Sequence, residues 1–161
     1  MKKLFIIAII VSLSTIKLFA QDVWPDRTRV LPQKLRRIPV GLSMWHDRPF
    51  IIPQKIDSTY FWKHTTTIRA EVGDLEFIEA GSFIWYDATG WQQNMVLNNQ
   101  DLAEDFGCKD GKFPKGKAFV FKKNWRRGRQ PYGGDALWYV LAKDKAGTLY
   151  KGYALVETED L

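Results

Sequence analysis

The sequence predicts a mainly β fold: an antiparallel β-sandwich with one short helix or, as the alternative, a small closed β-barrel. About seven short runs rich in β-branched and aromatic residues are separated by turn residues, which is the pattern of these folds. Residues 136–157 contain two such runs on either side of residues 144–147, which is typical of a hairpin. Residues 98–106 have the composition of a short helix.

The first 20 residues have the pattern of a signal peptide. Lys2 and Lys3 form a basic start, residues 4–16 form an apolar stretch, and Ala20 is the small residue that precedes a cleavage site. An uncleaved membrane anchor is the alternative, but thirteen apolar residues are fewer than the ~20 that span a bilayer. We therefore expect removal of residues 1–20 and export to the periplasm or the extracellular space.

The 141 residues that remain (161 less 20) are enough for one domain with its own core. Loss of Lys2, Lys3 and Lys17 lowers the formal charge from +6 to +3, and this modest charge, with export, argues against a nucleic-acid partner. No later stretch is long and apolar enough to span a membrane, so no transmembrane segment is expected after cleavage. The single cysteine, Cys108, cannot form an intrachain disulfide, and we expect it to be a small buried side chain.

A proline-rich segment at residues 21–53 precedes the predicted β domain at residues 54–161. Proline removes a backbone donor and fixes φ, so its high density here argues against long helices and central strands. The segment is therefore expected to be an extended arm. It contains five of the seven prolines: Pro25, Pro32, Pro39, Pro49 and Pro53.

The strongest strand pattern lies at residues 58–72, where one of the two alternating sets of side chains is more apolar and is expected to face inward. This inward set is Tyr60, Trp62, His64, Thr66, Ile68, Ala70 and Val72. Gly73 and Asp74 then fit a type II′ turn, so residues 75–79 are expected to pair back as a hairpin. Residues 80–81 predict a bulge before a strand at residues 82–86.

Residues 87–107 predict a turn, a strand and the helix. Residues 87–90 form the turn, and residues 91–97 form the returning strand. Asn98 can cap the helix at residues 98–106, Asp101 suits the positive end of its dipole, and Gly107 ends it.

The last part of the chain predicts a strand at residues 117–125, a long loop at residues 126–134 and the C-terminal hairpin. Both alternating sets of the first hairpin strand are apolar, so this strand is expected to be central and covered on both faces. In the second strand Lys151 and Glu157 share one side, which is expected to be half exposed. This hairpin resembles the last two strands of immunoglobulin-like and fibronectin type III domains, and the resemblance implies an immunoglobulin-like or similar sandwich.

The two histidines, His46 and His64, are eighteen residues apart and have no other ligands at metal-site spacing. Neither a metal nor another cofactor is therefore predicted. We expect His64 to be a hydrogen-bonded core residue, and His46 to lie in a turn or a surface ion pair. The chain has no Gly-x-Ser-x-Gly motif, and Glu76 and Glu79 fall on opposite faces of one strand. No catalytic residue is predicted, and a small exported hydrolase that joins a histidine to a carboxylate stays as the alternative function.

Charge is distributed unevenly along the chain. Residues 51–107 carry nine acids and three bases, a net −6, whereas residues 108–131 carry nine bases and one acid, a net +8. Arginines among aromatic residues can hold an anion, and exposed tryptophans can stack on sugar rings. The residues predicted to bind a ligand are Trp91, Trp125, Arg126, Arg127, Arg129 and Tyr132.

These features predict a non-catalytic exported domain whose partner is an anionic glycan, lipopolysaccharide or another envelope protein. The alternative for the basic segment is that it packs against the acidic half of the same protein, or forms a solvated loop.

Overall fold

The computed structural model describes residues 30–85, 89–131 and 133–158. These residues form a mainly β structure with one α-helix, α1, at Asn99–Phe106 and a 3₁₀ turn at Gln33–Leu35. The predicted signal peptide and half of the predicted turn at residues 87–90 lie outside the described residues. The strands are β1 (Leu42–His46), β2 (Phe50–Ile51), β3 (Gln54–Ile56), β4 (Thr59–Trp62), β5 (Thr66–Ala70), β6 (Leu75–Trp85), β7 (Gln92–Leu97), β8 (Lys112–Phe113), β9 (Ala118–Phe121), β10 (Arg126–Gly128), β11 (Gly134–Lys143) and β12 (Leu149–Thr158).

The strands form one large sheet and two small ones. The six-stranded sheet has the order β2-β12-β11-β6-β7, with β8 also paired to β6, and the three-stranded sheets have the orders β1-β5-β9 and β10-β4-β3. The strand pairs are antiparallel except for β2 with β12. The large sheet is curled like half of a barrel, and the predicted mainly β, sandwich-like or barrel-like fold is confirmed.

Strand β11 lies at the centre of the core and is covered on both faces, as predicted. Trp138 and Val140 face a cluster shared with β1, β5, β9 and α1. Leu137 and Tyr139 face a second cluster on the opposite side of the sheet. The predicted hairpin turn also forms, since Gly147 has φ 85° and the Asp144 carboxylate accepts hydrogen bonds from two backbone N–H groups of the turn.

The proline-rich segment covers the second face of the six-stranded sheet from residue 30 onward. Leu35 is fully buried there, and Lys34 forms an ion pair with Glu79, whose carboxylate also accepts a hydrogen bond from Tyr139. Lys151, which was expected on a half-exposed side, is buried instead, because its Nζ donates to the Leu35 carbonyl at 2.7 Å. The segment also supplies β1 and β2, so it contributes to the core.

The strand predicted at residues 58–72 exists as two strands, β4 and β5, separated by residues 63–65, which have no regular secondary structure. The predicted inward side chains are buried or half-buried apart from Val72, which is 49% exposed. The predicted hairpin at Gly73 and Asp74 is wrong. Strand β5 pairs with β1 and β9, whereas β6 pairs with β11, β7 and β8, so the chain crosses between sheets here. Asp74 accepts a hydrogen bond from the Lys115 backbone N–H at this crossing instead of forming a two-residue turn.

The helix follows its prediction closely. The Asn98 side chain accepts hydrogen bonds from the N–H groups of Gln100 and Asp101, and the Asp101 carboxylate accepts one from the Asn98 N–H. Gly107 ends the helix with φ 70°. Within the described part of the chain, neither helical segment has the length and hydrophobicity needed to cross a membrane.

The loop predicted at residues 126–134 contains a strand, because Arg126–Gly128 forms β10 against β4. Cys108 is buried in the main cluster as expected, and its Sγ contacts the Lys112 carbonyl oxygen at 3.3 Å. Burial raises the pKa of this thiol above its ordinary value.

Candidate functional site

The pairing of β4 with β10 places the basic segment on a two-sided ribbon. Arg127 lies opposite Phe61, and Arg126 lies opposite Trp62. Successive side chains of a strand point to opposite faces, so Phe61 and Arg127 share one face while Trp62 and Arg126 share the other. Trp62 is buried, which shows that the face of Phe61 and Arg127 is the outer one.

Cations and aromatic rings lie together on this outer face. Trp125 is 43% exposed, and the Nζ atoms of Lys63 and Lys123 lie 4.7 Å and 6.0 Å from its ring centroid. The Lys63 Nζ also lies 5.8 Å from the Phe61 ring centroid. These are distances at which a cation is attracted by the face of an aromatic ring. We call Phe61, Lys63, Lys123, Trp125 and Arg127 the cationic–aromatic face.

The cross-strand neighbours of this face bring no negative charge to it. Gln54 on β3 lies opposite Phe61, and the next outward pair on these strands is Ile56 with Thr59. Arg127 on β10 is exposed. A positive potential therefore forms over a surface that also presents flat apolar rings.

Arg126 lies on the inner side of the same ribbon. Its guanidinium carbon is 4.4 Å from the Trp138 ring centroid, and its Nη2 donates to the Asn124 side-chain oxygen at 2.7 Å. Its Nε is buried without a hydrogen-bond partner. Burial lowers the pKa of Arg126 to about 10, although the negative charge of Asp105 on α1 raises it. Arg126 therefore packs against Trp138 and is only half exposed.

The two histidines meet next to Arg126. Their ring centroids are 5.0 Å apart in an edge-to-face arrangement, and His64 lies 6.4 Å from Trp138. The His46 Nδ1 is 3.0 Å from the Thr66 hydroxyl, which accepts a hydrogen bond from Asn124 at 2.7 Å. The prediction that His46 lies in a surface turn or ion pair is wrong, because the alternation along β1 points it inward with Leu42 and Met44.

Both histidines are neutral at neutral pH. Burial lowers the pKa of His46 to about 4 and that of His64 to about 3. The charges of His46 and Arg126 lower the pKa of His64 further. The Asp47 carboxylate raises the pKa of both histidines. The His46 Nε2 and both ring nitrogens of His64 are buried without a hydrogen bond of normal geometry. His64 is therefore a core residue as predicted, and its polar contact is with the backbone of Trp62.

Several polar side chains of the buried cluster are shielded from solvent, among them His64, Thr66 and Asn124. Among the described residues, no group of three or more His, Cys, Asp or Glu side chains could hold a metal ion, and the charge of Arg126 also disfavours a cation beside His64. Thr66 and His46 have the contact of a nucleophile and a base, but Thr66 is fully buried and a substrate cannot reach it. The nearby Asp47 carboxylate instead accepts hydrogen bonds from Thr65 and Arg48.

The structure brings together some of the predicted ligand-binding residues but not all of them. Trp125 and Arg127 share the outer face, whereas Arg126 lies on the inner face of the same ribbon. Arg129 is exposed just beyond β10. Trp91 lies with the arm on the far side of the six-stranded sheet, where its Nε1 donates to the Val30 carbonyl at 3.1 Å. Tyr132 lies outside the described residues.

Sequence reasoning missed the other members of the face. Phe61 and Lys63 were left out because they come from a different strand, more than 60 residues away from Trp125 and Arg127 along the chain. The alternation of residues 58–72 did indicate that Phe61 and Lys63 face outward, since both belong to the set opposite the inward one. The pairing partner of β4 could not be inferred from this alternation.

Comparisons with known proteins give weak structural similarity only. No protein family model matches the chain, and no curated protein matches it. A similar solved structure is the crystal structure of a Bordetella pertussis protein provisionally called ApaA. It has 13% sequence identity and a TM-score of 0.49, and the match covers 75% of this chain and 96% of that one. At this level of similarity no function is transferred.

Proposed function

We propose that this protein is an exported, non-catalytic binding domain and that it holds an anionic glycan on its cationic–aromatic face. Export is supported by the signal-peptide pattern of residues 1–20. The observation that carries the binding proposal is Trp125, which is 43% exposed beside Lys63 and Lys123.

The two kinds of side chain on the face have complementary roles. A sugar ring presents an apolar side that can stack on an exposed indole, and Trp125 with Phe61 supplies flat rings. Sulfate, phosphate and carboxylate groups are planar or compact anions that arginine and lysine bind through charge-assisted hydrogen bonds, and Arg127, Lys63 and Lys123 supply these donors. An anionic glycan contains both features, whereas a neutral glycan lacks the charge.

The β-ribbon also holds these groups in fixed positions. Arg127 lies on a paired strand, and Trp125 directly precedes that strand. Lys63 follows the last residue of β4. Side chains held by paired strands lose less freedom when a ligand binds than side chains of a free loop, which favours binding.

Dextran sulfate is a suitable probe because it combines glucose rings with strongly acidic groups. We expect it to bind the protein with residues 1–20 removed, and we expect the affinity to fall as salt is added because exposed charges are screened. Trp125→Ala should weaken binding about fivefold, the effect of losing about 1 kcal/mol of aromatic stacking. Arg127→Gln should weaken binding and reduce its dependence on salt.

Neutral dextran and the variant Lys145→Gln are the matched controls. Lys145 is an exposed lysine in the β11–β12 turn, so this variant loses one positive charge away from the face. If Arg127→Gln and Lys145→Gln weaken binding equally and Trp125→Ala leaves it unchanged, all three being correctly folded, then binding follows net charge alone and the proposal is wrong. Absence of any dextran sulfate binding at low salt would contradict the proposal.

A further inference from the structure

The cationic–aromatic face and the buried histidine cluster are two sides of the same ribbon. Arg126 is the residue between Trp125 and Arg127, and His64 directly follows Lys63. Inside the protein, Arg126 stacks on Trp138, and His64 lies between His46 and the same indole. The backbone that presents the ligand-binding side chains is therefore held from beneath by these three polar residues.

We propose that His46, His64 and Arg126 are positioning residues for the cationic–aromatic face, and that acid releases the ligand by charging the two histidines. This inference rests on the proposed function. It adds to that function the condition, low pH, under which the ligand is released.

The cluster can hold the face only while both imidazoles are neutral. A proton on either ring would place a second cation within a buried site that already contains the Arg126 guanidinium, and buried like charges repel strongly. Three of the four imidazole nitrogens are buried without a hydrogen bond of normal geometry, and the backbone contacts of His46 with Ala154 and of His64 with Trp62 favour the charged rings less than burial opposes them. Protonation should therefore separate the ribbon from Trp138.

Few other charges act on the histidine pair. Asp47, at the end of β1, favours the charged form of both rings, but Thr65 and Arg48 already engage its carboxylate. Asp105 on α1 favours the charged form of Arg126. The neighbours from β11 and β12 are the Trp138 indole and the Ala154 backbone, neither of which carries a charge. These surroundings do not neutralise a charged pair.

The lowered pKa values of the two histidines determine how binding should change with pH. The folded-state pKa values of about 4 and about 3 are below the ordinary value of 6.5, so protons bind more tightly when the cluster opens. The closed arrangement is fully favoured above pH 6.5 and is lost as the pH falls through the two folded-state values. A rigid surface would behave in the opposite way, because protonation of its carboxylates makes the protein more positive and strengthens binding to a sulfated polymer.

Binding of dextran sulfate across a pH series tests the proposal, since its sulfate groups keep their charge in acid. We expect the affinity to be at least about tenfold lower at about pH 3 than near neutral pH. Between pH 6.5 and the folded-state pKa of His46, about 4, opening the cluster takes up one proton, so each pH unit favours opening about tenfold. The chain has two histidines, so their Cε1–H signals in an NMR titration report both pKa values directly. The indole N–H signal of Trp125 should shift with the same midpoint, with no ligand present.

The variant His46→Gln/His64→Phe separates this mechanism from general acid unfolding. It removes both titrating rings while keeping side chains of similar size, so we expect its affinity at about pH 3 to stay within about threefold of its own affinity near neutral pH. His46→Gln alone serves if the double variant does not fold, since His46 takes up the first proton. The proposal is overturned if binding strengthens steadily as the pH falls, or if the unaltered protein and the variants lose binding at the same pH. Failure to bind near neutral pH overturns the proposed function instead, because the Trp125 signal reports the coupling without a ligand.

Discussion

Trp138 is the side chain on which the buried half of the site is assembled. It is 1% exposed, and it contacts both His64 and the Arg126 guanidinium. Its indole provides an apolar surface for the main core and a ring face for the buried cation. Both the packing of the two layers and the position of β10 therefore depend on this residue.

We predict that Trp138→Ala lowers the free energy of unfolding by about 3–5 kcal/mol, because it leaves a large cavity in a close-packed core. Urea denaturation measures this change. Trp125→Ala is the matched control, since Trp125 is 43% exposed and its loss should change stability by less than about 1 kcal/mol. An unchanged denaturation midpoint in Trp138→Ala would mean that the core is not centred on β11.

At the scale of single elements, the sequence predicts structure best where the signal is local. The turn at residues 144–147 and the ends of α1 are set by side chains within a few residues of one another, and both form as predicted. The inward set of residues 58–72 is likewise fixed by alternation. These features need no knowledge of distant partners.

The element-scale errors all involve distant partners. Strand β10 contains Arg126, Arg127 and a glycine, a composition with little tendency to form a strand, and it exists because β4 pairs with it. The crossing at Gly73 could not be distinguished from a hairpin by turn residues alone. His46 was misplaced because the prolines around it obscured the inward alternation of Leu42, Met44 and His46 along β1.

The capping box of α1 provides a test at this scale. We predict that Asn98→Ala destabilises the protein by about 1 kcal/mol, because two helix N–H groups lose their acceptor. Asn98→Ser should retain most of the stability, since a serine hydroxyl can accept the same hydrogen bonds. Chemical denaturation of the two variants measures the difference. Equal stabilities of the alanine and serine variants would contradict a role for the cap.

At the scale of the whole molecule, the six-stranded sheet separates two layers of the protein. One face packs against the small sheets that carry the cationic–aromatic face, and the other is covered by residues 30–41. The covering segment is fixed by main-chain hydrogen bonds between Lys151 and the segment at Pro39 and Gly41, in addition to the contact of the Lys151 side chain with Leu35. The segment therefore belongs to the folded unit.

Leu35 tests whether this segment is part of the cooperative core. It is fully buried among Phe83, Leu137 and Tyr139, so we predict that Leu35→Ala lowers the free energy of unfolding by about 2–5 kcal/mol. Val30→Ala is the control from the same segment, because Val30 is 54% exposed and should tolerate the change. The amide protons of Gly41 and Lys151, which bond across the junction, should exchange with solvent faster in Leu35→Ala than in Val30→Ala. A segment that only lies on the surface would give two variants with equal stability and equal exchange rates, because removing Leu35 would then leave no cavity beneath it.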